Sequence, residues 1–360
     1  MAGNSSLNAA ARAKKDEFYT QLPDIEQELR HYRKHFKGKT VFCNCDDPFE
    51  SNFFKYFVLN FNKLGLKKVI ATCYRGSPIA GQQLSMFDEV TEEEQPANKP
   101  YKAVVTKVYD ATGDGGISML DVAALFRSGE NELTLLEGDG DFRSPECLAL
   151  LDEADIVCTN PPFSLFREYV SVLMEHEKHF LIIGPQNAIT YQDFFPLLRD
   201  NMVWLGTSSP KEFIVPVERE DRSNTYTRND GTVFAKFGNV CWYTNLDVKT
   251  RHEELIVFKR YSADAYPKYE NYDGINVDSL DMIPCDYAGV MGVPITIMEH
   301  YNPDQFEIIG FGKGTLARNI GVTKNYRGRT DLAYVRPDGS HQGVYCHVLI
   351  RNRHPEEPKQ

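Results

Sequence analysis

The run Asp155-Ile156-Val157-Cys158-Thr159 passes directly into Asn160-Pro161-Pro162-Phe163, and this junction restricts the fold more tightly than any other stretch of the chain. A short run of apolar and β-branched residues predicts a strand buried on both faces, as in a parallel sheet. Two successive prolines fix φ and carry no N–H, so the strand must end at Asn160 and the chain must turn. Helical spacing resumes over residues 166–176. Strand, stiff turn and helix make up the first part of a β–α–β unit.

The flanking sequence repeats the rhythm. Residues 24–36 place Ile25, Leu29, Tyr32 and Phe36 at helical spacing, and Gly38 punctuates before a short buried strand at 40–44. Residues 51–64 are helical in period through Phe54, Phe57, Val58 and Phe61. Gly65 closes that helix, and residues 68–73 form the next strand. Strands at 179–184 and 202–206 enclose a helix at 193–200. Residues 101–108 and 117–120 flank a Gly/Asp turn and predict a hairpin, with a polar loop over 76–100. This is an α/β pattern with a mostly parallel sheet flanked by helices. After residue 207, Gly, Pro, Asn and aromatics dominate and helices thin out. The expected organisation is a flexible arm at 1–15, a catalytic domain at 16–206 and a further region at 207–360, without internal repeats.

Bulk properties exclude several classes. No apolar run approaches the roughly 20 residues of a membrane span, and residues 1–15 lack the apolar stretch of an export signal, so a cytoplasmic protein is expected. The eight cysteines contain no CxxC pair and the nine histidines no HExxH, so reduced thiols and no metal are expected. The stretch from Asp110 to Asp121 nearly spells a calcium loop, but Thr112 stands at its third position and the short Asp121 at its twelfth, which argues against calcium. A net charge of −11 opposes indiscriminate coating of nucleic acid yet permits a local basic face. Residues 311–353 offer one, with Lys313, Arg318, Lys324, Arg327, Arg329, Arg336, Arg351 and Arg353 against only Asp331 and Asp338.

In an open parallel sheet, ligands bind at the carboxyl ends of the strands, which is where Asn160 to Phe163 fall. Their residue types suit one reaction. The exocyclic N6 of adenine is a poor nucleophile because its lone pair is delocalised into the ring. Hydrogen bonds accepted from both N6 hydrogens, one by the Asn160 side-chain oxygen and one by a carbonyl of the Pro-Pro turn, most simply that of Pro161, draw the lone pair out of conjugation. Phe163 can stack on an extruded base. The methyl group must then come from a sulfonium donor.

These residues, with others, are similar to the EcoRI-type adenine-specific DNA methyltransferases. The likeness extends from residue 160 through Ser164-Leu-Phe-Arg-Glu-Tyr169, and to Lys15-Asp-Glu-Phe-Tyr-Thr20, Cys43-Asn-Cys-Asp-Asp-Pro48, Ser51-Asn-Phe-Phe-Lys-Tyr56, Gly138-Asp-Gly-Asp-Phe-Arg-Ser144, Asn187-Ala-Ile-Thr-Tyr191, Tyr266-Pro-Lys-Tyr269 and Val290-Met-Gly-Val-Pro294. It spans residues 14–310 and weakens over 77–132. The resemblance implies a class I, Rossmann-like S-adenosylmethionine-dependent fold with a C-terminal target-recognition region after about residue 207. It implies action on double-stranded DNA with base flipping, and a restriction endonuclease that need not touch the protein. Phe18, Tyr19 and Thr20 then meet the methionine end of S-adenosylmethionine, Asp46, Asp47 and Pro48 occupy the cofactor loop, and Asp141 and Phe142 meet the cofactor adenine.

Each assignment has a plainer alternative. Phe18 and Tyr19 also suit core anchors, Asp46 and Asp47 a helix cap, and Asp139 and Asp141 a simple turn. The loop at 44–48 has no glycine, unlike many methyltransferases. That absence is the sole support for a non-catalytic DNA-binding relative, while RNA adenine and a protein glutamine amide are alternative substrates. Lys211, Arg219, Arg222, Arg228, Lys324, Arg327 and Arg329 are the candidate DNA contacts.

Overall fold

The computed structural model describes residues 19–45, 48, 51–73, 100–214, 225–236 and 238–357. The chain divides into two compact units, Met1–Gln186 with Gly206–Leu246, and Asn187–Leu205 with Asp247–Gln360. The expected arm at 1–15 lies outside the described residues.

The first unit is built from β1 (Tyr19–Thr20), α1 (Leu22–Leu29), β2 (Thr40–Cys43), α2 (Asn52–Leu59), β3 (Lys68–Thr72), β4 (Tyr101–Val105), α3 (Met119–Arg127), β5 (Glu132–Leu135), α4 (Pro145–Glu153), β6 (Ile156–Thr159), α5 (Phe166–Glu175), β7 (His179–Pro185), β8 (Glu212–Ile214), β9 (Thr225–Thr227), β10 (Val233–Lys236) and β11 (Val240–Thr244). Its main sheet runs β5-β4-β3-β2-β6-β7-β11. The centre is parallel, through the pairs β3/β2, β2/β6 and β6/β7. The pairs β4/β3, β5/β4 and β11/β7 are antiparallel. The sheet is therefore mixed, where sequence led us to expect a mostly parallel one.

Every residue of β2 and β6 is buried, as expected for strands covered on both faces. Helix α2 covers one face with Phe53, Phe54, Tyr56, Phe57 and Val58, all buried, and Phe57 meets Phe36 edge-on at 5.1 Å. Gly65, at φ 64°, ends the helical stretch in the left-handed conformation that glycine adopts without strain.

Two expectations are corrected. The predicted 101–120 hairpin does not form. Residues 119–127 are helical because Ser118 and Asp121 make a capping box, and β4 pairs instead with β5. The compact units also do not divide at 206/207. Strand β11 pairs with β7 from Val240↔Pro185 to Thr244↔Leu181, burying Cys241, Trp242 and Tyr243, so residues up to 246 join the first unit.

The calcium-like loop is organised by its own backbone. The Asp110, Asp114 and Asp121 carboxylates have atoms within 4.8 Å of one another. Asp121 accepts from the Ala111, Thr112 and Ser118 N–H groups at 2.8–2.9 Å, and Asp110 from those of Gly113, Asp114 and Gly115. The hydrogen bonds from Thr112 and Ser118 hold the Asp121 carboxyl well below its ordinary range. A carboxylate depressed on folding stabilises the protein above its unfolded pKa, near 4, and that contribution fades as pH falls through the folded value. In acid-denaturation curves, Asp121→Asn is therefore expected to flatten the loss of stability below about pH 4. An unchanged slope would contradict the assignment.

A small antiparallel sheet in the same unit runs β1-β8-β10-β9, with Tyr19 opposite Ile214 and Thr20 opposite Phe213. The second unit comprises β12 (Ile275–Asn276), β13 (Met291–Pro294), β14 (Phe306–Phe311), α6 (Gly314–Asn319), β15 (Ala333–Val335), β16 (His341–Gly343) and β17 (His347–Asn352). Its sheet runs β12-β13-β17-β14, and β15 and β16 form a separate hairpin. Tyr269, Ala317, Val322, Leu332 and Leu349 make a compact core beneath α6 and that hairpin. All described cysteines are free thiols, buried except the half-buried Cys45. No described helix is long and apolar enough to cross a membrane.

Candidate active site

The two central strands of the first unit meet where the sheet changes direction. From β2 the chain crosses through α2 to β3 on one side, and from β6 it crosses through α5 to β7 on the other. The carboxyl ends of β2 and β6 thus flank a topological switch point, the crevice in which open α/β sheets bind ligands. The register pairs Val41 with Ile156 and Phe42 with Val157, and the Thr159 hydroxyl donates to the Asn44 carbonyl just beyond. The β2 exit loop and the Asn160 turn therefore lie side by side.

Asn160 is 7% exposed, with its Oδ1 shielded from solvent. Pro161 is buried, and Pro162 and Phe163 are half-buried. Pro162 holds φ −57° and ψ 124° ahead of a 3₁₀ turn at Phe163–Leu165. The Leu165 N–H occupies the Pro162 carbonyl at 2.9 Å, whereas none of the backbone hydrogen bonds among the described residues ends on the Pro161 carbonyl. Phe166, fully buried, opens α5 and lies 5.2 Å from the Tyr243 ring on β11.

Tyr169, one turn further along α5, ties the surroundings together. It is 1% exposed, its hydroxyl donates to Asn44 Oδ1, and its ring meets Phe142 edge-on at 5.0 Å. Burial pushes its hydroxyl well above the ordinary tyrosine range, keeping it a neutral donor. Arg143 reinforces the link by donating to Asp141 through Nε (2.9 Å) and Nη2 (2.7 Å) and to Glu168 on α5 through Nη1 (2.7 Å). Burial works to raise the Asp141 carboxyl, but the hydrogen bonds and charge of Arg143 outweigh it, so Asp141 is held below its usual range. The structure thus brings Phe142 and Asp141 to the helix that follows Asn160. Asp141 also serves the turn into α4, as the plainer reading supposed, since it accepts from the Arg143 N–H at 2.9 Å.

Tyr169→Phe leaves Asn44 Oδ1 buried without its donor, an imbalance that costs about 1–3 kcal/mol. The expected result is a lower Tm in thermal denaturation. A wild-type Tm would show that the Tyr169–Asn44 contact holds nothing in place.

The remaining sequence-predicted residues are distributed as follows. Tyr19 and Thr20 form β1, buried at 6% and 2% exposure. The Thr20 carbonyl accepts from Asn52 Nδ2 at 2.7 Å at the start of α2, and the Thr20 Oγ1 is buried with no hydrogen-bond partner among the described residues. Pro48 is buried in a turn. Phe18, Asp46, Asp47, Arg219 and Arg222 lie outside the described residues. Lys211 is exposed. Arg228 pairs with Glu212 at 2.8 Å and lies 3.9 Å over the Phe234 ring. Lys324, Arg327 and Arg329 are exposed and belong to the second unit, whereas Lys211 and Arg228 belong to the first. Sequence reasoning assigned no role to Asn44 or Tyr169. Tyr169 reads as one more helical core aromatic, and only the partner 125 residues away reveals its second function.

A family model described as adenine-specific methyltransferase EcoRI matches residues 6–353. The chain is 43% identical over 330 residues to the Type II methyltransferase M.EcoRI of Escherichia coli, covering 89% of this chain and 93% of that protein. It is 34% identical over 355 residues to the Type II methyltransferase M.MpnI of Mycoplasma pneumoniae, covering 97% and 95%. No solved structure matches significantly. The family model and the relatives place the chain among the methyltransferases. Within that class it belongs to the EcoRI-type adenine-specific methyltransferase family, along nearly its whole length.

Proposed function

We propose that the protein transfers a methyl group from S-adenosylmethionine to the N6 amine of adenine within a short specific sequence of double-stranded DNA, with the target base flipped into the Asn160–Phe163 pocket. The observation that carries this reading is the juxtaposition of a solvent-shielded Asn160 Oδ1 with a Pro161 carbonyl on which none of the backbone hydrogen bonds among the described residues ends, at the switch point. Both are acceptors, and an amine with two hydrogens is the group that two fixed acceptors grip. Phe163 stacks on the base, an interaction worth about 1–3 kcal/mol. Bulk water takes the proton released from N6.

S-adenosylmethionine, when bound, supplies a methyl on a positively charged sulfur, so transfer requires no protein nucleophile. The residues present fit such a group. The buried, unsatisfied Thr20 Oγ1 suits its polar methionine end. Phe142 offers an apolar ring to its adenine, and Asp141 Oδ2, which takes only Arg143 Nη2 among the described residues, keeps a lone pair for an amine. Phe18, Tyr19, Asp46, Asp47 and Pro48 complete the proposed cofactor set. The switch point and the antiparallel β11 beyond β7 support a class I, Rossmann-like assignment. The region after residue 207 serves target recognition, with Lys211, Arg219, Arg222, Arg228, Lys324, Arg327 and Arg329 as the candidate DNA contacts. The setting is a bacterial or virus-infected bacterial cytoplasm, alongside an endonuclease that the protein does not touch.

Incubation with methyl-labelled S-adenosylmethionine and an equal mixture of duplex DNA, RNA and protein tests the substrate. The label is expected in DNA. Label in RNA adenine or in a glutamine side chain would overturn this reading.

A further inference from the structure

The second unit carries a cluster of exposed positive charges with no ion-pair partner among the described residues. Other cations are matched to carboxylates, among them Lys39–Asp155 at 3.0 Å, Lys102–Glu132 at 3.1 Å and Arg228–Glu212 at 2.8 Å. Lys313, Arg318, Lys324, Arg327 and Arg329 are all exposed, and among the described residues none of them has a carboxylate within ion-pair distance. In a chain of net charge −11, a run of unmatched cations opposes the prevailing sign and repels itself.

Aromatic rings are interleaved with these charges. Lys313 lies 5.1 Å over the Tyr345 ring, and Arg327 lies 5.1 Å over the Tyr326 ring. Tyr326 also stacks on His341 of β16 at 4.9 Å and 23°. Tyr345 is 81% exposed and Tyr326 40%, far more than large aromatics usually are in a folded unit.

The loop that presents them is braced. Asn325, 9% exposed, accepts through Oδ1 from the N–H groups of Arg327 (2.9 Å) and Arg329 (3.2 Å) and donates through Nδ2 to the Asp331 carbonyl (3.0 Å). Its own N–H donates to the Arg329 carbonyl at 2.8 Å. Gly328, at φ 72°, takes the left-handed turn that lets the loop close. Thr330 and Asp331 bind Gly314 at the start of α6, and Val344 is joined to Leu332, so the loop, α6 and Tyr345 rest on one small core.

We propose that this face, the Asn325-braced loop with Lys313, Arg318, Tyr326 and Tyr345, is the surface on which duplex DNA docks. The inference rests on the reading that DNA is the substrate and adds where and how it is held. Unmatched cations exchange their counterions for phosphates. The rings lie against sugar or base, where flat π faces pack without sequence demand. A loop already fixed by Asn325 loses little freedom on binding. Arg327 and Arg329 project from that fixed loop with the bidentate forks that suit phosphate or guanine.

The test is fluorescence-anisotropy titration of a labelled duplex that the wild-type protein methylates, repeated over a range of salt concentrations. Arg327→Ala combined with Arg329→Ala is expected to weaken binding by at least about tenfold and to reduce the salt slope by about 2, one per lost cation contact. Arg327→Lys should keep the slope but still weaken binding. Tyr345→Ala, at a side chain too exposed to support the core, should weaken binding without changing the slope. Tm and S-adenosylmethionine affinity should stay at wild-type values throughout. Unaltered DNA affinity and slope in the double variant and in Tyr345→Ala, with methylation of DNA intact, would overturn the docking face and leave the proposed reaction standing. Failure of the wild-type protein to methylate any DNA would instead remove the reading beneath it.

Discussion

Asn160→Ala is expected to lower kcat for methyl transfer by about 10²–10³-fold, the scale set by loss of one preorganised hydrogen-bonding group aimed at a reacting centre. In the proposed cradle, the substitution removes one of the two acceptors that draw the N6 lone pair out of conjugation and leaves the Pro161 carbonyl to act alone. Asn160 sits at the end of β6, with Thr159 anchored to Asn44, so the strand end should keep its place when the side chain is cut back. Calorimetric affinity for S-adenosylmethionine should therefore be unchanged. The separation of the two readouts matters, because a collapse of the switch point would lower both. Wild-type kcat in the variant would remove Asn160 from the chemistry.

Gly184→Ala is expected to destabilise the first unit by about 1–3 kcal/mol, the range for overfilling a packed core. A Cβ at residue 184 would stand 2.2 Å from Phe166 Cε2 and 2.6 Å from its Cζ, closer than any tolerated contact. Phe166 cannot retreat, because it is fully buried and packed on Tyr243. Tm should fall by roughly 2–4 °C per kcal/mol. Phe166 also directly follows the 3₁₀ turn that carries Phe163, so methyl transfer should drop even at temperatures where the variant remains folded. Phe166→Leu, by emptying the clash, should restore part of the Tm loss in the double variant. A Tm equal to that of wild type in Gly184→Ala alone would mean that the ring has room to move, contrary to the packing.

The centre of the first unit was legible in sequence because its signals are local. Apolar runs mark β2, β3, β6 and β7, helical spacing marks α2 and α5, and Gly65 and the proline pair mark where elements end. The position of Asn160 at the carboxyl end of a strand followed, since strand–helix–strand order with short links leaves few arrangements. What was not legible depends on contacts between distant residues. Nothing in the local period of residues 240–244 says that they pair with β7, so the region beginning at 207 read as separate. Residues 117–120 offered too short an apolar pattern to separate strand from helix, and the decision lay in the reciprocal bonds of Ser118 and Asp121. The role of Tyr169 was hidden for the same reason, because its partners Asn44 and Phe142 come from other elements. Asn160 could be proposed from sequence because the chemistry assigned to it is compressed into one tetrapeptide.

Nucleoside analysis of duplex DNA treated with the protein and labelled S-adenosylmethionine tests the two-acceptor cradle most directly. Digested DNA, resolved by chromatography and identified by mass spectrometry, is predicted to carry the label as N6-methyladenine, and the rate of labelling is predicted to fall by about 10²–10³-fold with Asn160→Ala. A methyl group on a ring carbon or ring nitrogen would contradict the account, because neither site presents the pair of amine hydrogens that the Asn160 oxygen and the Pro161 carbonyl are proposed to accept.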